Sequence, residues 1–206
     1  MAAKKIKKTE DIVKILCDSV QNVLQLSTNT DIKYSPMTQK ISNTSLRPDI
    51  GCFIQLDGGF SGLVVLNFPA DSAIEIYRAY RLCMGQDEKK LAKSHTSEDV
   101  ADTLGELMNQ AIGGFRKNLK RELLVTVNQS QPKMLVINSE LLISINAHID
   151  RPQCRKVSFE TGHHSPFYLE IAMEKTEFVE LYEYEKEEEF DPEVVMITEK
   201  NRLKKH

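Results

Sequence analysis

Between Val100 and Phe115 the chain repeats its apolar residues at helical spacing. Val100, Leu104, Leu107, Met108, Ala111 and Phe115 fall on one side at about 100° per residue. A helix over roughly 97–120 must lay that stripe on other structure, and this sets the architecture for the rest of the chain. Asp102, Glu106, Asn109 and Gly113 fall on the opposite side as i, i+3 and i+4 neighbours. Three glycines, Gly105, Gly113 and Gly114, interrupt this helix, each costing roughly 1 kcal/mol relative to alanine. Gly113 lies one turn beyond Asn109 on the same outward stripe and has no Cβ, so another molecule can approach closely there. Gly105 stands at the margin, where tight packing of helix on sheet also accounts for it. Periodicity alone leaves open whether the acid and the amide form a site or an ordinary solvated face.

The flanking sequence supplies the surface to be covered. Ile12, Leu16, Val20, Val23 and Leu24 predict an amphipathic helix over 9–26 with Thr9 as its N-cap. "TNTDIKY" leads into a short strand. Residues 35–49, polar and holding two prolines, read as a long loop. "IGCFIQL", "DGGF" and "SGLVVLNF" form a strand, a glycine turn and a strand. "PADSAIEIYRAYRLCMG" is a helix opened by Asp71 or Ser72 and closed near Gly85. After the long helix come β-favouring runs: "ELLVTV", "KMLVI", "ELLISIN", "RKVSF" and the alternating "FYLEIAME". The order implies an α+β domain, a largely antiparallel sheet packed with long helices. Its expected span is 9–177, between a basic extension at 1–8 and an acidic, then basic tail at 178–206 that reads as solvated, with a short helix at most.

Composition narrows the function. With 41% hydrophobic and 28% charged residues and a net charge of −3, the chain has no global attraction for nucleic acid or an anionic membrane. No apolar run approaches the roughly 20 residues of a membrane span. Cys17, Cys52, Cys83 and Cys154 are scattered without a CxxC pair, which suits reduced cytoplasmic thiols. His163 and His164 are adjacent, with His148 and Cys154 upstream, but lack regular ligand spacing. A loop contact is therefore the expectation, and a histidine-dependent small-molecule hydrolase is the third reading of function. "DGGFSG" sits between strands, so it is a hairpin turn rather than a phosphate cradle, and there is no G-x-S-x-G elbow.

Asp102, three residues, Glu106, two residues, Asn109, then twenty-two residues from Gln110 to Gln131 and Pro132: this spacing resembles the signature of the CheC/CheX/FliY family of chemotaxis phosphatases. "GELMNQAIGGFRKNL" is similar to the CheX version of that helix. "FSGLVVLNFPADSAIEIYRAY" and "FYLEIAME" resemble the family's hairpin strand, following helix and closing strand. The likeness covers about 9–175. CheC-like members carry the signature twice, whereas the first helix here offers only Ser19-x-x-Asn22 and Asp18-x-x-Gln21. A single copy is closer to CheX.

The resemblance implies a CheX/CheC-like fold and an activity: hydrolysis of the aspartyl phosphate of a phosphorylated response regulator. By the same resemblance, Asn109 positions the attacking water and Glu106 pairs with the receiver's lysine. Asp102 supports helix geometry or docking, Gly113 clears the approach, and Pro132 shapes the strand after the helix. Such chemistry needs no cofactor on this chain, because the magnesium arrives with the receiver. Nucleic acid and membrane are not expected partners. Pairing through sheet edges into a homodimer is expected by likeness to the family. The alternative is a non-catalytic module of the same fold that docks on a receiver or a flagellar-type partner.

Overall fold

Gly62–Phe68 is buried at all seven positions, the pattern of a strand covered on both faces. The computed structural model, which describes residues 6–143, 152–175 and 178–179, builds outward from that strand. In chain order the first elements are β1 (Ile6–Lys7), α1 (Thr9–Thr28), β2 (Lys33–Tyr34), β3 (Gln39–Ile41) and β4 (Thr44–Leu46). Next come β5 (Ile50–Gly58), β6 (Gly62–Phe68), α2 (Ala70–Cys83) and α3 (Glu98–Leu123). The remaining strands are β7 (Val127–Gln129), β8 (Lys133–Val136), β9 (Leu141–Ile143), β10 (Gln153–Glu160), β11 (Pro166–Met173) and β12 (Phe178–Val179).

β2, β10, β11, β6, β5 and β7 pair in that order, all antiparallel, with β3 also on β10 and β8 also on β5. One face is covered by the helices: Leu16 and Val20 of α1, Tyr77 of α2, and Leu104, Met108 and Phe115 of α3 share a core with Ile54, Leu66 and Phe167. The other face carries a smaller core, in which Leu46 of β4 meets Leu63, Val65, Cys154 and Ala172. β4 pairs with β9 as a ribbon over this face. The fold is thus α+β with a largely antiparallel sheet. β1 and β12 pair just outside the expected domain limits, and most of the expected tail lies outside the described residues.

Four local expectations need correction. Residues 35–49 contain β3 and β4 rather than only loop, because their polar groups are satisfied by residues far away in sequence. Ser45 N donates to Glu170 Oε2 at 2.9 Å, Asn67 Nδ2 to Ser45 O at 2.9 Å, and Thr44 Oγ1 to Ile143 O at 2.9 Å. Neither Asp71 nor Ser72 caps α2; Asp49 Oδ2 accepts from Ala70 N at 2.8 Å and serves the helix start from outside. Thr9 is already the first residue of α1, and Asp11 accepts from the Lys8 N–H instead. The start of "ELLVTV" belongs to α3, since Leu119 and buried Leu123 continue the helical stripe until Leu124 turns left-handed. α2 does close near Gly85, whose φ of 78° needs no Cβ. Among the described residues no helix is long and apolar enough to cross a membrane.

Candidate functional site

α3 buries Val100, Leu104, Leu107, Met108, Ala111, Phe115 and Leu119 and leaves Asp102, Glu106, Asn109 and Gly113 exposed. The three glycines have different surroundings. A Cβ on Gly105 would stand 3.2 Å from Met134 Cγ, so this glycine lets the helix sit close on β8. A Cβ on Gly114 would reach Ser19 of α1 at 4.0 Å, whereas one on Gly113 would have nothing within 4 Å. Only Gly113 is open ground, and it lies beside Asn109.

Glu106 and Asn109 are held from different elements. Glu106 Oε1 accepts from Gln110 Nε2 at 3.4 Å, one turn along the same helix. On its other flank is Tyr80 of α2. Burial first, and then the charge and hydrogen bonding of Glu106, push the Tyr80 hydroxyl above its ordinary value; the phenol therefore stays protonated beside the carboxylate. Asn109 Oδ1 accepts from Gln129 Nε2 at 2.8 Å, and this is its sole hydrogen bond among the described residues. Gln129 Oε1 in turn accepts from Arg116 Nη1 at 3.4 Å, while Arg116 Nε donates to Val127 O at 2.5 Å.

Pro132 lies where β7 and β8, both on β5, are interrupted. Ser130 spans the break: its N–H donates to Gln55 O at 2.9 Å, and its Oγ accepts from Gln55 N at 3.0 Å. A proline without an N–H is tolerated at such an edge. Asp102 is exposed one turn before Glu106 and forms no ion pair among the described residues. Sequence reasoning missed Gln129, Arg116 and Tyr80. A faint signal existed for the first: Val127 is buried, and strand alternation turns Gln129 to the same, helix-facing side.

The other candidates do not join this group. His163 and His164 sit in the turn between β10 and β11 and diverge. His163 Nδ1 lies 3.1 Å from Glu75 Oε1, while His164 meets Glu160. His148 lies outside the described residues, and Cys154 is buried in the smaller core. Among the described residues no three His, Cys, Asp or Glu side chains cluster as a metal site. A cleft of about 680 Å³, lined by Glu75, Arg78, Lys93, His95 and His163 among others, includes neither Glu106 nor Asn109. Burial pushes the Cys17 and Cys52 thiols up to about 12, so neither supplies a thiolate at neutral pH.

Known structures share this architecture. The chemotaxis protein CheX from Desulfovibrio desulfuricans is 21% identical, with a TM-score of 0.63, over 80% of this chain and 99% of its own. A complex of CheX, CheY, BeF3 and Mg2+ from Borrelia burgdorferi aligns at 14% identity and a TM-score of 0.58, over 80% of this chain and 99% of that one. FliY from Thermotoga maritima aligns at 19% and 0.55, over 81% and 87%. At these identities what is shared is the fold, that of CheX, CheC-like and FliY proteins. No curated protein matches the sequence. A family model does, over residues 3–206 and hence well beyond the shared fold, and the chain belongs to that family, described as a protein of unknown function, DUF3334.

Proposed function

We propose that the chain accelerates hydrolysis of the aspartyl phosphate on a response-regulator receiver domain. The observation that carries this reading is the juxtaposition on α3: an exposed carboxylate and carboxamide beside Gly113, with open space in front of the glycine. An aspartyl phosphate is already labile, so the helper protein needs no nucleophile of its own. It has to hold a water in line with phosphorus, because a loose phosphoryl-transfer transition state asks mainly for positioning and charge stabilisation. The Asn109 amide can accept from that water through Oδ1 and donate to phosphoryl oxygens through Nδ2. The water oxygen bonds to phosphorus as the bond from phosphorus to the aspartyl oxygen breaks. The products are the free carboxylate and inorganic phosphate, which keeps the water's protons apart from any released to solvent. Glu106 pairs with the receiver's lysine and sets the register of the two proteins. The magnesium that meets phosphoryl charge belongs to the receiver. Asp102 supports docking, and Pro132 shapes the edge strand carrying Gln129's neighbours.

Positioning is sufficient in magnitude. A hundredfold acceleration needs about 2.7 kcal/mol, and well-oriented reactants can gain roughly 7–11 kcal/mol. The test is to phosphorylate a panel of chemotaxis-type receiver domains with acetyl phosphate and follow phosphate loss with and without the chain. Faster loss that disappears in Asn109→Ala supports the phosphatase. Binding without faster loss identifies the non-catalytic docking module instead. A cytoplasmic location and a homodimer paired through a sheet edge accompany this reading; sedimentation of the purified chain reports the second.

A further inference from the structure

We infer that Gln129 is a positioning residue that fixes which way the Asn109 amide faces, with Arg116 setting the direction. The inference rests on the reading of Asn109 as the group that holds the water.

The two ends of an amide differ in chemistry but hardly in shape, so a lone exposed asparagine can present oxygen or nitrogen to a ligand. Asn109 is exposed, and nothing on its own helix bonds its amide. Its orientation comes from across the gap to β7. Arg116 can only donate. Its Nε is spent on Val127 O, and its Nη1 donates to Gln129 Oε1 at 3.4 Å. That leaves the NH2 of Gln129 to face Asn109, and only an oxygen can receive it. The 2.8 Å contact from Gln129 Nε2 to Asn109 Oδ1 completes the relay. Polarity therefore runs one way, from a cation that cannot accept to an amide oxygen that must. The oxygen retains a second lone pair for the attacking water, and Nδ2 has no partner among the described residues.

Gln129 is itself held in place. Its backbone pairs with Leu56 of β5, and Ser130 beside it bonds Gln55 through both N–H and Oγ. Buried Val127 anchors the same face of the strand. The relay thus starts from half-buried Arg116 and Gln129 and ends at an exposed amide.

Two substitutions separate positioning from packing. In Gln129→Glu the new carboxylate keeps Arg116 as its partner but cannot donate, so Asn109 must turn its NH2 inward. In Gln129→Met the shape is kept and both hydrogen bonds are lost. The expected result is a kcat reduced at least tenfold in Gln129→Glu and less in Gln129→Met, with KM for the phosphorylated receiver within about twofold of wild type in the methionine variant. A role confined to holding Arg116 gives the reverse order, because the methionine variant leaves Arg116 Nη1 without its acceptor and the glutamate variant does not. A role in packing alone leaves the methionine variant at the wild-type rate. In spectra of the full chain, the Gln129 side-chain NH2 resonances should shift in Asn109→Ala. If wild type is active and Gln129→Glu turns over at the wild-type rate, or if those resonances stay put, the inference falls and the phosphatase reading stands. If wild type accelerates no receiver in the panel, the phosphatase reading fails and takes the inference with it.

Discussion

Helices α1 and α3 enter the sheet in the same way and then part company. Each ends on a left-handed residue, Asn29 or Leu124. Eight positions before that cap a side chain donates to the carbonyl three positions after it: Gln21 Nε2 to Ile32 O at 2.6 Å, and Arg116 Nε to Val127 O at 2.5 Å. Five positions after the cap stands a polar side chain on the following strand, Tyr34 or Gln129. On α1 the Tyr34 hydroxyl donates to Asp18 Oδ1, so the polar stripe is closed onto its own strand. The position on α3 that matches Asp18 is Gly113, which offers nothing to hold. Gln129 reaches one turn further, to Asn109. One glycine thus separates a stripe tied to its own sheet from one whose amide is oriented yet still open to a partner.

The sharpest way to break this comparison is to cut the same position on both helices. Asn109→Ala should lower receiver dephosphorylation about a hundredfold, a loss of about 2.7 kcal/mol. Its match on α1, exposed Lys14, should be replaceable by alanine with turnover within twofold of wild type. Equal losses at both positions would mean that the two faces are used alike.

Gly113 gives the next largest effect. Gly113→Asp puts on α3 the carboxylate that α1 already has, offering Gln129 a nearer acceptor than Asn109. Turnover should fall about tenfold, or about 1.4 kcal/mol. Gly113→Ala adds a Cβ with nothing within 4 Å. It should raise the urea midpoint, gaining up to about 1 kcal/mol from helix propensity, while lowering turnover by less than the aspartate does, because the methyl stands where the receiver approaches. A destabilised alanine variant would show that the space is not open.

Asp18→Ala probes the closed stripe. It leaves the part-buried Tyr34 hydroxyl without its acceptor and should cost about 1 kcal/mol in urea unfolding, with no change in turnover. A double-mutant cycle with Tyr34→Phe should recover most of that cost as coupling. A loss of turnover in Asp18→Ala would place α1 in the site.

What the sequence disclosed divides along the same line. The stripe of α3 was legible because a helix writes its burial locally: Leu104, Leu107, Met108, Ala111 and Phe115 announce the buried side, and the outward side follows. The β5–β6 hairpin was legible for the same reason. β3 and β4 were not, since Thr44 and Ser45 look like loop residues until Ile143, Glu170 and Asn67 meet their polar groups. Gln129 was hidden likewise: what it bonds is decided by the turn at Leu124 and the register of β7 on β5, which no local period encodes. The helical period already set Gly113 on the outward stripe and Gly105 at the margin; packing adds what each meets, Met134 over Gly105, Ser19 against Gly114 and nothing before Gly113.

The smallest effect lies at the helix starts. Glu10, in the first turn of α1, receives Arg155 Nη2 at 2.8 Å and Nε at 3.2 Å on the same oxygen. Arg155 is 7% exposed, whereas the Glu10 side chain is 54% exposed. The hydrogen bond from Arg155 holds the Glu10 carboxyl below its ordinary value. A carboxyl lowered in the folded state contributes stability above its unfolded value, near 4.5, and loses it as pH falls through the folded one. Glu10→Gln should therefore cost no more than about 1 kcal/mol at pH 7, since solvent screens the exposed oxygen. The gap to wild type should stay flat down to the ordinary carboxylate range and close below it. Glu98, in the first turn of α3, has no ion pair among the described residues. Glu98→Gln should lose less, because it removes only the weak attraction of a carboxylate for a helix N-terminus. Urea titrations from pH 3 to pH 7 read both. Equal pH-dependent losses would mean that α1 is no more firmly tied at its start than α3, and the contrast between the helices would then rest on Asp18 and Gly113 alone.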